Sequence, residues 1–158
     1  MTRTSLMAWA LALLRGPVWP PVFVLALHML LSNVFNAYSA FPALDVPVHV
    51  LGGGAFAYFA FWALVSGVRL GFLGSPNRLA VHLGAFFTAS SVAMFWEFAE
   101  FLSDRYLGTH AQDGLRDTLS DMAFGVLGTS LAIAIIWARG ALPPRGASTS
   151  SPVTSSDA

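Results

Sequence analysis

VPVHVLGGGAFAYFAFWALVSGV, residues 46–68, contains no Asp, Glu, Lys or Arg, and that absence decides the fold class. Crossing the ~30 Å hydrocarbon core of a bilayer takes about 20 helical residues, which this stretch supplies. Backbone groups in lipid find no water, so they must pair within their own segment, and an apolar run of this length reads as a helix, not a strand. Three more stretches share its character: Val18 to Tyr38, Leu79 to Phe101 and Thr118 to Ala138. They predict an all-α, polytopic membrane protein, a bundle of four transmembrane helices. The connections, about 7 to about 16 residues long, favour antiparallel neighbours.

Composition agrees with that reading. Of 158 residues 56% are hydrophobic and only 10% charged, too apolar a balance for a water-soluble domain of this length. The absence of cysteine excludes disulfides and thiolate metal sites. Every basic residue is an arginine and the formal net charge is zero, so no basic run is available for a phosphate backbone and no nucleic-acid partner is expected.

The two ends differ from the middle. Arg3 and the apolar Leu6 to Leu14 look like the start of a secretory signal, but Arg15 and Pro17 interrupt the run and no small-residue cleavage site follows. Residues 5–14 are expected to form a short interfacial helix, with merger into the first span as the alternative. Residues 140–158, rich in Ser, Thr, Pro and Ala, lack the apolar material to order themselves. The chain is thus expected to be one transmembrane domain over residues 1–139 followed by a disordered tail.

Arginines set the expected orientation. Arg3, Arg15, Arg69, Arg78, Arg139 and Arg145 flank one side of the four spans, and only Arg105 and Arg116 fall on the other, so both termini are expected in the cytoplasm. Trp19, Trp62 and Trp137 then lie near the inner boundary, with Tyr38, Trp96 and Tyr106 near the outer one, as anchoring aromatics do.

That topology gathers the acids. Asp45, Glu97, Glu100, Asp104, Asp113, Asp117 and Asp121 all fall at the outer side, leaving Asp157 in the tail. Seven carboxylates there face two arginines and the histidines His49 and His110, an imbalance that attracts cations. Asp45 and Asp117 stand at helix N-termini, where capping and the macrodipole explain a carboxylate. Glu97, Glu100 and Asp104 occupy a helix C-terminus on one face, against the dipole, so capping does not explain them. Ionisable groups below the interface cost several kcal/mol unless paired or solvated, which turns them toward the bundle interior. His49, Glu97, Glu100, Asp117 and Asp121 are therefore the candidate metal ligands of an inward-facing site, with Glu97, Glu100 and Asp121 the candidate catalytic groups.

One imidazole among carboxylates suits a divalent cation, whose bound water becomes a nucleophile toward a lipid-linked ester or phosphate; membrane lipids and a lipid-linked substrate are the partners this implies. No HExxH or comparable metal signature is present. Clustered acids also fit a proton- or ion-coupled transporter of a small solute, and a purely structural polar cluster or partner subunit, with Arg105 and Arg116 neutralising some acids, is the third reading. Gly52 to Gly54, and Gly125, Gly128 and Ala132, read as small-residue faces for helix contact. His28 and His82 fall toward the inner side, away from the acids, and read as satisfied core groups.

The run Asp45-Val46-Pro47-Val48-His49 followed by glycines, then Trp96-Glu97-Phe98-Ala99-Glu100, then Leu107-Gly108-Thr109 leading to Asp117-Thr118-Leu119-Ser120-Asp121-Met122 and Gly128, resembles the YjdF-like bacterial inner-membrane proteins, a family of unknown function. A fainter similarity to VanZ-like membrane proteins rests on Arg116, Asp121, Gly128 and the acid of the preceding span. The resemblance covers about residues 20–138 and implies a small multi-pass protein of the bacterial inner membrane, with these acid and His positions marked and no reaction supplied. Pro47 stands where the pattern suggests a bulkier residue, and His110 to Arg116 spaces Asp113 from Asp117 differently, which leaves Asp113 without a role.

Overall fold

In the computed structural model, which describes residues 3–141, every regular element is helical. Helix α1 (Arg3–Arg15) leads into α2 (Trp19–Met29), which continues as a π-helical stretch, Leu30–Val34. A short α3 (Ala37–Ala40) and a 3₁₀ turn, Pro42–Leu44, precede the long helices α4 (Asp45–Arg69), α5 (Arg78–Leu107) and α6 (Leu115–Ala138). Of the tail expected over residues 140–158, Ala141 packs against the core, and residues 142–158, with Asp157, lie outside the described residues.

Local chemistry sets the boundaries of the long helices. Pro47 sits in the first turn of α4, where the N–H it lacks would have no helical partner. The helix ends in paired bonds, Gly71 N–H to the Val68 carbonyl at 3.0 Å and Phe72 N–H to Gly67 at 2.8 Å, closed by Gly71 at φ +78°. Helix α5 starts where the Asn77 side chain accepts the Ala80 N–H at 2.8 Å. It ends at Gly108, whose φ of +69° an L side chain would resist.

Helix α4 is the centre, packing against α6 and α5 and carrying α2 and α1 on its flank. Its approach to α6 is backbone to backbone. A Cβ at Gly53 would run into the Gly125 carbonyl, and one at Gly128 into the Val50 carbonyl. Thr129 seals the contact by donating to the Gly53 carbonyl at 3.2 Å. Lipid gives helices no hydrophobic reason to associate, so close packing of small residues supplies the attraction here. Toward the other end the core is Ala60, Phe61, Val65, Val81 and Ala85.

The outer surface is apolar: Phe23, Phe87 and Phe95 are each more than 60% exposed. That would be a liability in water and is ordinary in hydrocarbon. Helices α4 (with the preceding turn from Pro42), α5 and α6 are long and apolar enough to cross a membrane. A fourth crossing exists if α1 and α2, bent by 57° across their break, act as one span.

The first span departs from the continuous helix expected over residues 18–38. The hydrogen-bond ladder slips into the π register at Leu30, Asn36 takes a left-handed φ of +46°, and Tyr38 falls on the separate helix α3. The N-terminal helix is present and leans on α4: the Trp9 indole N–H donates to the Ala63 carbonyl at 3.0 Å, and Leu13 is buried.

Candidate functional site

The start of α4, the end of α5 and the start of α6 meet at one end of the bundle, with His49 between them. Asp45 and His49 are one turn apart on α4, and the His49 Nε2 lies 3.3 Å from Asp45 Oδ1. The same nitrogen is 4.0 Å from Asp121 Oδ1 on α6, while Nδ1 faces Glu97 Oε1 on α5 at 3.9 Å. One ligand atom each from Asp45, His49 and Asp121 can be chosen within 4.8 Å of the other two.

Glu97 is only 4% exposed, and neither of its carboxylate oxygens has a hydrogen-bond partner among the described residues. Buried carboxylates are almost always paired or hydrogen-bonded, because leaving one bare forfeits its hydration without return. Above it the α5–α6 loop is tied down by Asp104, which accepts from Thr109 at 2.5 Å and from the N–H groups of Ala111 and Gln112 at 2.8 and 3.0 Å. Gln112 then donates to the Glu97 backbone carbonyl at 3.1 Å, fixing the loop across the site.

Charge counting shows what the cluster lacks. Asp45, Glu97 and Asp121 carry −3 when ionised, and the imidazole between them supplies at most +1. A neutral imidazole has one N–H and serves carboxylates on one side only. At an effective dielectric of ~20, two ionised carboxylates as close as Asp45 and Asp121, about 4–5 Å, repel by about 3–4 kcal/mol. Arg105 and Arg116, which might have balanced the acids, form no ion pair among the described residues; Arg105 lies over the Tyr106 ring at 5.7 Å.

Of the five residues expected as ligands, the structure brings His49, Glu97 and Asp121 together. Glu100 sits beside them, half-buried, accepting from the Trp96 indole N–H at 2.8 Å. Asp117 turns to the loop, accepting the Asp113 N–H at 3.3 Å. Asp45 is the residue that sequence reasoning missed. It was explained as a helix cap, yet Leu44 occupies the cap position of α4 with no side-chain bond, and the Asp45 carboxylate points to His49 instead. The signal was the i, i+4 spacing of Asp45 and His49, which puts both on one face.

His28 also corrects the expectation that placed it away from the acids. Its Nδ1 is 3.0 Å from the Tyr38 hydroxyl, and its ring meets Trp96 edge-on at 5.2 Å. Tyr38, outside the long helices, has its phenol pushed up to about 12, by burial first and then by Asp45 and Glu100, so its hydroxyl stays protonated. His82 does lie at the opposite end, between Phe61 and Trp137.

These features define a polytopic helical membrane protein with a carboxylate and histidine cluster at one end. More particularly, the chain belongs to the family described as Predicted membrane protein (DUF2238), whose profile matches residues 9–141, in keeping with the YjdF-like resemblance. It is similar to an uncharacterized protein of Thermotoga maritima, 29% identical over 121 residues, covering 70% of this chain and 56% of that protein. The chain therefore spans little more than half the length of that relative. No solved structure matches it.

Proposed function

We propose that this membrane protein binds a divalent cation through Asp45, His49 and Asp121, with Glu97 behind the imidazole on its other nitrogen, and uses it on the polar headgroup of a lipid or lipid-linked substrate. The observation that carries the reading is the set of ligand atoms from Asp45, His49 and Asp121 within 4.8 Å of one another, with the buried Glu97 carboxylate, which has no hydrogen bond among the described residues, facing the other imidazole nitrogen. Oxygen and imidazole ligands at ~2.0–2.2 Å from an ion stand about 3–4 Å apart, so a small closure of Asp45, His49 Nε2 and Asp121 brings three ligands onto one ion. With the imidazole neutral, as a ligand must be, a dication reduces the −3 of the three carboxylates to −1.

The mixed set of oxygen ligands and one imidazole suits Zn, Mn or Mg better than Cu. When bound, the ion would supply Lewis acidity at a headgroup ester and acidify the water that hydrolyses it. Glu100, one turn along α5 from Glu97, is the candidate to take the proton from that water and return it to the leaving oxygen. In the membrane the cluster faces away from the cytoplasm, with the arginine-bearing end inside, in a bacterial inner membrane.

Transport finds less support. Beyond His49 the α4 side of the bundle interior continues through Gly53, Ala57, Ala60, Phe61 and Val65, all buried and apolar, and the buried polar groups toward the far end among the described residues, Thr129, Ser90 and His82, include no carboxylate to relay a cation.

Elemental analysis of the purified protein tests the reading. About one equivalent of a divalent metal is expected in the wild type, falling at least tenfold in His49→Ala and Asp121→Asn. A folded wild-type preparation that takes up no divalent metal on dialysis against Zn, Mn or Mg would sink it.

A further inference from the structure

A narrow cavity of about 100 Å³ runs from His49 between α2 and α5. At one end its wall carries His28, His49 and Trp96. Seven residues from each, away from the acids, stand Pro21, Phe56 and Ala89, also on the wall, so the cavity extends ~10 Å along the helices from a polar ring to an apolar foot. Water in the apolar part would lack partners. For scale, a cavity of ~150 Å³ takes a benzene ring; a smaller volume drawn out over ~10 Å fits an unbranched chain and not a fused-ring molecule.

Gly52 is what opens it. The neighbouring Gly53 is required by the α4–α6 contact, because a Cβ there meets the Gly125 carbonyl. At Gly52 a Cβ would meet only the Val24 Cγ1 at 3.9 Å, so helix packing does not demand a glycine and the missing side chain is simply space. Helix α2 packs chiefly on α4, which leaves its α5 side open, and the flanking Phe23 and Phe95 are 67% and 63% exposed. A hydrocarbon chain in the surrounding bilayer reaches the cavity sideways without passing through water.

We infer that this cavity holds one acyl chain of a membrane phospholipid whose phosphate reaches the cation at His49. This deepens the divalent-cation reading and rests on it for the headgroup. The acid cluster alone repels a phosphate, whereas a hard dication among the carboxylates binds one. Removing the metal should therefore release the lipid.

The full chain, reconstituted in vesicles of phosphatidylethanolamine and phosphatidylglycerol, is extracted and washed in detergent. Bound lipid is then read by native mass spectrometry, metal by elemental analysis and folding by circular dichroism on the same samples. The wild type is expected to keep one phospholipid per chain and to lose it on metal chelation. Gly52→Leu, and independently Val24→Phe from the facing wall, should lose the phospholipid while keeping helicity and metal. If both filled variants fold and hold as much phospholipid as the wild type, or if the wild type retains none or an isoprenoid instead, the acyl-chain site does not exist. If phospholipid is held in the Gly52-dependent way by a protein that never takes up metal, the chain site stands and the cation reading falls.

Discussion

Glu97 concentrates the energetics of the site in one side chain. Its carboxylate is buried with no hydrogen bond among the described residues, and an ionised group so placed destabilises the fold that holds it. Glu97→Gln should therefore raise the thermal midpoint of metal-stripped protein, by about 1–3 kcal/mol in stability, and weaken metal uptake in the same preparation. Unfolding followed by circular dichroism with and without chelator measures both. A midpoint that falls in chelator would mean that the carboxylate finds a structural partner after all. Asp45→Asn tests the residue that sequence reasoning assigned to capping. It should cost metal and leave helix content unchanged, whereas loss of a true N-cap would cost about 1 kcal/mol of stability with metal content untouched.

At the scale of elements, the contact between α4 and α6 separates glycines that look alike in sequence. Gly53→Ala should cost about 1–3 kcal/mol, because a Cβ has only the Gly125 carbonyl to displace. Gly54→Ala, whose Cβ would stand 3.5 Å from the Gly128 carbonyl oxygen, should be neutral or stabilising by up to ~1 kcal/mol through helix propensity. Thermal midpoints in one detergent settle the ranking. The loop over the site hangs on Asp104, and Asp104→Ala should expose residues 108–114 to limited proteolysis while the long helices stay protected. The helices α4, α5 and α6 were legible because uninterrupted apolar runs leave the backbone no alternative. The break in the first span was not, because residues 18–38 are apolar throughout and the left-handed turn at Asn36 carries no hydrophobic signature. His28 was misplaced for the same reason. Along an unbroken helix it was placed toward the inner side, whereas the fold-back at Asn36 brings Tyr38 onto it.

For the whole molecule, the division into an acid-bearing end and an arginine-bearing end was readable from charge alone, and the meeting of three helix ends at His49 follows from antiparallel order. What spacing did not reveal is which acids pair. Glu100 and Asp117 share helix faces with true neighbours of His49 yet bond to Trp96 and the Asp113 amide. Orientation is checked by reporter fusions. A fusion in the 108–114 loop should report the non-cytoplasmic side and fusions at residues 74 and 141 the cytoplasm; the reverse pattern would place the cluster inside the cell. Asp45 and His49 on α4 and Asp121 on α6 come from separate parts of the chain, so an ion held between them acts as a removable cross-link. At a hundred times its dissociation constant a ligand adds about 2.7 kcal/mol to folding. Starving the cell of that ion would then shorten the protein's lifetime before it touched any reaction, and abundance would serve as a gauge of metal supply.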